Sequence, residues 1–155
     1  MAEALRLSRG VALYAGVLGV LYLAIGLIEF LSGLISYFGG SSPWWMSPWI
    51  PQDIFGGLSA MVIGLLYIAS TTSWRRYESI GYLLVATLLS AVFAVLYLLI
   101  AGANGLDSLI VGEEWSWMED ISRSEIWLLP PSLPPLIISW RMAMRMKQAA
   151  PFSEA

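Results

Sequence analysis

The chain has 155 residues, of which 58% are hydrophobic and 12% are charged, with a net charge of −3 and a mean hydropathy of +0.72. A water-soluble fold of this size cannot bury so much apolar surface, so we expect lipid or partner subunits around it. Histidine and cysteine are both absent, which excludes His-based catalysis, bis-His haem ligation, thiolate metal centres and disulfides. We therefore expect no enzyme, no cofactor and no metal ion.

Four long apolar runs predict membrane-spanning segments at about 11–37, 54–72, 80–103 and 126–140. All but one of the eight basic residues lie in three clusters beside these runs: Arg6 and Arg9, Arg75 and Arg76, and Arg141, Arg145 and Lys147. Because Lys and Arg accumulate in cytoplasmic loops, this pattern predicts a cell-membrane protein with both termini in the cytoplasm. The predicted fold is an all-α integral membrane protein, a four-span helical bundle over 1–148 followed by a disordered tail over 149–155.

The first run contains a glycine at every seventh position: Gly19, Gly26 and Gly33. A stripe of small residues lets a neighbouring backbone approach closely in lipid. We expect this face of the helix to be a packing interface. The neighbour is either the third span of the same chain or another subunit, and the contact within the chain is preferred.

Glu29 is the one acidic or basic residue well inside a predicted span. An unpaired carboxylate at that depth is costly, so it must be protonated, paired or facing water. Two roles remain open. Glu29 is either a proton or cation site, with Tyr22 two helical turns earlier, or a hydrogen-bonded acid that pins two helices together or pairs with Arg123.

Residues 22–33 read YLAIGLIEFLSG, an acid within the first of four spans followed by glycine. This segment resembles the small multidrug resistance transporters, whose first-helix glutamate couples protons to cationic substrates. The resemblance covers about a dozen residues and implies a proton-coupling role for Glu29. Those transporters are shorter and have tight loops, whereas this chain has long connections rich in tryptophan.

The two connections predicted on the outer side carry tryptophans and acids. The tryptophans are Trp44, Trp45 and Trp49 in the first connection, and Trp115 and Trp117 in the second. Indole settles at the level of the lipid headgroups, so we expect an interfacial belt rather than a ligand-binding aromatic cage. A short surface helix is expected near 115–122. The acids of these connections are Asp53, Asp107, Glu113, Glu114, Glu119, Asp120 and Glu125. They make this face negative, so nucleic acid is not an expected partner.

The fourth run, IWLLPPSLPPLIISW, contains Pro130, Pro131, Pro134 and Pro135. Each proline lacks an N–H, so we predict a broken span, with an extended piece over 126–132 and a helix over 133–140 capped by Ser132. Irregular backbone at that depth must be buried or line water. It forms either an ion site, as in transporters with broken helices, or a kink shielded by a partner. We further hypothesise that Glu29 accepts N–H bonds from the extended piece.

The two halves of the chain share short sequences. Val20–Ile35 and Val95–Ile110 both begin with VLYL, and each half ends with Ser-Trp-Arg, at 73–75 and 139–141. The alternatives are two tandem two-helix repeats and chance agreement within a small apolar alphabet.

Two functions remain open. The first is a non-catalytic accessory or scaffolding subunit of a larger membrane complex, because no catalytic group or cofactor ligand set is present. The second is a small proton- or cation-coupled transporter or channel that acts as a homo-oligomer, with Glu29, Tyr22 and Ser132 as its ion-site residues. The expected partners are membrane lipid and either other membrane subunits or further copies of the chain.

Overall fold

The structure is a computed structural model that describes residues 7–39, 52–72, 76, 78–112, 114–115 and 117–149. These residues form five helices: α1 (Arg9–Gly39), α2 (Ile54–Thr72), α3 (Glu78–Val111), α4 (Trp117–Ile121) and α5 (Ser124–Ala149). Some sequence predictions lie outside the described residues, namely those for Arg6 and Arg75, for Trp44, Trp45 and Trp49, for Glu113, and for the tail from 150 to 155. Ala149, predicted as the first residue of that tail, is the last residue of α5.

Among the described helices, α1, α2 and α3 are long and apolar enough to cross a membrane. Their outward faces carry many exposed leucine, valine and isoleucine side chains. α5 has 26 residues, but its four prolines and its basic C-terminal part leave it less apolar than the other three. The fourth span and the tandem repeat therefore stay predictions.

Glycines bring α1 and α2 into close antiparallel contact. A Cβ built on Gly26 would lie 2.7 Å from the Gly57 carbonyl oxygen and 2.7 Å from the Met61 nitrogen. Gly19 meets the backbone of Gly64 in the same way, and Gly33 meets the start of α2 at Ile54. The glycine stripe of α1 thus packs within the chain, but against the second helix and not against the third span that the sequence predicted.

The predicted break in the fourth run is wrong, because α5 is helical through all four prolines. Ser132 lies in the interior of this helix and does not cap it; its hydroxyl donates to the Leu128 carbonyl oxygen at 2.8 Å. Pro135 has no N–H to offer the carbonyl oxygen of Pro131, one turn back. The Tyr14 hydroxyl donates to that oxygen instead, at 2.8 Å. Hydroxyl groups from the helix itself and from its neighbours are the usual way in which prolines are tolerated in membrane helices.

The helices alternate in direction, which defines two ends of the bundle. Asp53, at the start of α2, meets Tyr97 of α3 and Arg123, just before α5; we call this the Asp53 end. At the other end, Leu7 shares the apolar core with Met142 and Met146 of α5. Arg76 precedes α3 there, and we call it the Arg76 end.

Candidate proton and cation site

Asp53 organises the Asp53 end of the bundle. One carboxylate oxygen, Oδ1, accepts the N–H groups of Phe55 and Gly56, each at 3.0 Å. These are two of the N–H groups that a helix start leaves without an internal partner, so Asp53 is the N-cap of α2. The other oxygen, Oδ2, accepts the hydroxyl of Tyr97 at 2.9 Å and a guanidinium N–H of Arg123 at 2.6 Å.

Arg123 pairs with Asp53, which leaves the predicted pairing with Glu29 unformed. Its guanidinium carbon also lies 5.0 Å from the centre of the Tyr97 ring, a favourable cation–π distance. One arginine thus connects the start of α2, the C-terminal half of α3 and the entrance to α5.

The pKa of Asp53 reports these contacts. Burial alone would raise it, but the Gly56 N–H, the Tyr97 hydroxyl and the Arg123 guanidinium outweigh burial and hold the pKa of Asp53 below its usual value. Asp53 is therefore ionised at neutral pH, and its charge is matched by Arg123.

Gly56 makes room for this cluster. A Cβ on Gly56 would lie 2.8 Å from Oε1 of Glu125, 2.8 Å from the Tyr97 hydroxyl and 3.1 Å from the carboxyl carbon of Asp53. Polar atoms from α3 and α5 therefore reach the first turn of α2 because this residue has no side chain.

Two further carboxyl groups are buried beside this cluster. Glu29 of α1 is 1% exposed and Glu125 of α5 is 2% exposed. The Ser124 hydroxyl lies beside Glu29 and donates to Oε2 of Glu125 at 3.2 Å. Among the described residues, neither oxygen of Glu29 has a hydrogen-bond partner, and nor does Oε1 of Glu125. The hypothesis that Glu29 accepts backbone N–H bonds is therefore wrong for the described part of the chain. We call Glu29, Asp53, Tyr97, Arg123 and Glu125 the carboxylate layer.

A second polar group of residues lies deeper in the bundle. The Tyr22 hydroxyl is 2.6 Å from the Ser90 hydroxyl and 3.1 Å from the Ser132 hydroxyl. The Tyr67 ring stacks on Tyr22 with 5.7 Å between ring centres, and Ser132 lies near its hydroxyl. The Tyr67 hydroxyl is fully buried and has no partner among the described residues. We call Tyr22, Tyr67, Ser90 and Ser132 the hydroxyl layer; α1, α2, α3 and α5 each supply one member.

The two layers are in register along three helices. Seven residues separate Tyr22 from Glu29 on α1, Ser90 from Tyr97 on α3, and Ser132 from Glu125 on α5. Seven residues are almost two helical turns, so each pair lies on one face with an axial separation of about 10 Å. Ile25, Phe93 and Leu128 lie between the layers in sequence, and all three belong to the apolar packing of the core. The polar layers are therefore separated by an apolar one.

Sequence reasoning selected Glu29, Tyr22 and Ser132 as candidate site residues. The structure brings Tyr22 and Ser132 into hydrogen-bonding contact, while Glu29 lies in the other layer beside Glu125. Sequence reasoning did not select Asp53, Tyr97, Ser90 or Tyr67 as site residues. The seven-residue spacing of polar residues on three separate runs was the available signal.

Two tryptophans of the connection between α3 and α5 lie at the surface of the Asp53 end. Trp115 and Trp117 are both exposed, and the indole N–H of Trp115 donates to Asp120 at 2.9 Å. α4, at Trp117–Ile121, lies within the range expected for a short surface helix.

Three apolar helices packed around a polar interior define an integral membrane domain. The chain belongs to the family described as MJ0565 integral membrane domain, whose model matches residues 6–141. It is similar to Uncharacterized protein MJ0565 of Methanocaldococcus jannaschii, with 28% identity over 102 residues that cover 64% of this chain and 67% of that protein. No solved structure matches the chain.

Proposed function

We propose that this chain is a small proton- or cation-coupled membrane carrier, with Glu29 and Glu125 as the groups that bind the ion. The observation that carries the proposal is the carboxyl group of Glu29, which is enclosed by the bundle yet has no partner among the described residues. A buried carboxyl group needs hydrogen bonds when neutral and a counter-charge when ionised. A proton, a small cation or an ion with its water supplies what the described side chains do not.

The electrostatics of the carboxylate layer favour a cationic occupant. Arg123 neutralises Asp53, so its charge is already matched at 2.6 Å. Glu29 and Glu125 then remain as two acids without a second described base in the layer. Two carboxylates close together in a low-dielectric interior repel each other, so at least one must take up a proton or share a cation.

The apolar layer favours a carrier over an open channel. Ile25, Phe93 and Leu128 separate the carboxylates from the hydroxyl layer, and a charged ion does not cross such a layer without rearrangement of the helices. In the orientation predicted from the basic clusters, the carboxylate layer lies nearer to the outer surface of the membrane than the hydroxyl layer does. We expect α5 to complete the bundle as a fourth span, with both termini in the cytoplasm of the cell.

Purified protein in liposomes tests this proposal. We expect the wild-type chain to dissipate an imposed proton or sodium gradient, and Glu29→Gln to lower the rate by about a hundredfold, because the amide cannot bind and release a proton. Glu125→Gln should lower it as well. Glu78→Gln is the matched control, since Glu78 is exposed at the start of α3. A Glu29→Gln variant that is folded and fully active would refute the assignment of the ion site.

A second function is favoured by a different observation. A groove of about 750 Å³ runs along α1 and α2 near the Arg76 end, lined by apolar side chains such as Leu13, Val17 and Ile68. An apolar helix of another subunit fits such a groove, as an accessory or scaffolding subunit requires. Native mass measurement after mild extraction separates the functions: different co-purifying polypeptides support the subunit, and a homo-oligomer that moves ions supports the carrier.

A further inference from the structure

The hydroxyl layer is a polar site in the centre of an apolar bundle. Four side chains from four helices meet there, and all four are buried. One of them, Tyr67, keeps a fully enclosed hydroxyl with no described partner. A polar group in such a position is costly unless something binds it. Stability alone gives no reason for it, since phenylalanine would pack in its place without that cost.

The hydrogen bonds of this layer have one direction. Each hydroxyl can donate one hydrogen bond, and Ser132 donates its own to the Leu128 carbonyl oxygen. Ser132 can therefore only accept from Tyr22. Since the single proton of Tyr22 is then used, Ser90 must donate to Tyr22. The hydrogen bonds therefore point from Ser90 to Tyr22, from Tyr22 to Ser132, and from Ser132 to the carbonyl oxygen.

We propose that the coupling ion is a proton and that the hydroxyl layer is its second station, a relay that begins at Ser90 and ends at Tyr67. This inference rests on the proposed function, because the relay carries only what Glu29 and Glu125 have bound. It names the ion, and it assigns a role to four residues outside the carboxylate layer.

The transfer balances as follows. A proton arriving at the Ser90 oxygen displaces the Ser90 proton to Tyr22, and the Tyr22 proton moves to Ser132. Ser132 turns about its Cα–Cβ bond, away from the Leu128 carbonyl, and gives its proton to the Tyr67 oxygen. Tyr67 then releases its own proton to a water molecule that enters from the Arg76 end. One proton enters, one leaves, each O–H bond broken is replaced, and no electrons are transferred.

Ser132 is the switch of this relay. While the Ser132 hydroxyl donates to the Leu128 carbonyl oxygen, it does not donate to Tyr67, and the path from Tyr22 to Tyr67 is interrupted. The carboxylate layer lies about 10 Å away, too far for direct transfer, so the loading step requires a short file of water molecules through the apolar layer. Ser132 and Leu128 both lie on α5. A shift of this helix therefore affects both the entry of protons through the apolar layer and their transfer from Ser132 to Tyr67.

Proton flux into liposomes that hold a trapped pH indicator tests the relay. We expect Tyr22→Phe, Tyr67→Phe and Ser132→Ala each to slow the flux by about tenfold or more, because each removes one transferable proton. We expect the wild-type flux to fall in D₂O. Tyr82→Phe is the matched tyrosine control, since Tyr82 is exposed on α3. Ser70→Ala is the matched serine control, since Ser70 is buried and, within the described part of the chain, its hydroxyl donates to the Tyr67 carbonyl oxygen and not to a hydroxyl of the relay.

The outcomes distinguish the relay from the proposed function. If folded Tyr22→Phe and Ser132→Ala carry protons at the wild-type rate while Glu29→Gln does not, the relay is wrong and the carboxylate site stands. If the wild-type chain moves sodium but not protons, the identity of the ion is wrong. If Glu29→Gln also matches the wild type, the proposed function fails too. Should Tyr22→Phe not fold, Ser90→Ala breaks the same link with a smaller change in packing.

Discussion

At the scale of single residues, Asp53 shows how one side chain serves three structural purposes. It caps α2, receives the Tyr97 hydroxyl from α3 and pairs with Arg123 before α5. A neutral cap would satisfy the helix start equally well. The charge of Asp53 adds the ion pair with Arg123, which leaves Glu29 and Glu125 without that arginine as their partner.

The lowered pKa of Asp53 predicts a pH dependence of stability. A carboxyl group whose pKa is lower in the folded than in the unfolded state stabilises the fold above its unfolded pKa, and this contribution is lost as the pH falls through the folded pKa. The groups facing Asp53 are Arg123, Tyr97, Glu125 and Glu29. Of these groups, only the two glutamates are also carboxylic acids.

We therefore expect the melting temperature in detergent to fall as the pH is lowered below about 4, the usual range of aspartate. Asp53→Asn keeps a capping side chain but loses the ion pair, and it should cost about 1 to 3 kcal/mol at neutral pH. Circular dichroism melting curves at several pH values measure both effects. If Asp53→Asn loses as much stability at low pH as the wild type does, the acid sensitivity comes from other groups.

The sequence identifies one of the two buried glutamates of the site but not the other. Glu29 is identifiable from the sequence, because an acid within an apolar run is costly wherever it points. The sequence alone predicts Glu125 as a solvating acid of a loop. It does not show that α5 begins at Ser124, which places Glu125 inside the bundle. The pairing of Arg123 with Asp53, 70 positions apart, depends on the packing of three helices and was not available from spacing.

At the scale of helices, apolar length was enough to locate α1, α2 and α3. Local proline chemistry was not enough for α5. The prediction of an extended piece assumed that the carbonyl groups facing prolines have no other donor. The Tyr14 hydroxyl from α1 supplies one for Pro131, a contact between residues 117 positions apart. The helix persists because its neighbours replace at least part of what proline removes.

The contact between α1 and α2 gives a prediction at this scale. Gly26→Ala places a methyl group 2.7 Å from backbone atoms of Gly57 and Met61, so the two helices must separate. We expect a loss of about 1 to 3 kcal/mol, and a lower ion-transport rate, because Glu29 lies one turn further along α1. Thermal melting in detergent and liposome flux measure the two effects.

Gly10→Ala is the control on the same helix, since nothing lies within 4 Å of a Cβ at that position. There we expect no loss, or a gain of up to about 1 kcal/mol from the better helix propensity of alanine. Equal stability of the two variants would show that α1 and α2 do not pack through these glycines.

In the molecule as a whole, buried polar side chains share the interior with an apolar core, and apolar residues cover the outside of α1, α2 and α3. Buried polar side chains extend from Glu29 and Glu125, through Thr87 and Ser132, to Ser79 near the Arg76 end. A bundle held together only by close packing in lipid has no need of such an interior. The carboxylate layer and the hydroxyl layer are both part of this row of buried polar side chains. α5 contributes Glu125 and Ser132 to it, so α5 lies along the row.

The placement of α5 as a fourth span gives the last prediction, and it uses the absence of cysteine from the chain. Single variants Glu78→Cys, Glu114→Cys and Arg145→Cys put one thiol at exposed positions at the start of α3, after α3 and near the end of α5. With α5 spanning the membrane and the basic clusters in the cytoplasm, a membrane-impermeant maleimide added to intact cells should label only the variant at position 114. The variants at 78 and 145 should react only after the membrane is opened. Labelling of 145 together with 114 would mean that α5 does not cross, and the carboxylates of α1 and α5 would then not share one path through the bilayer.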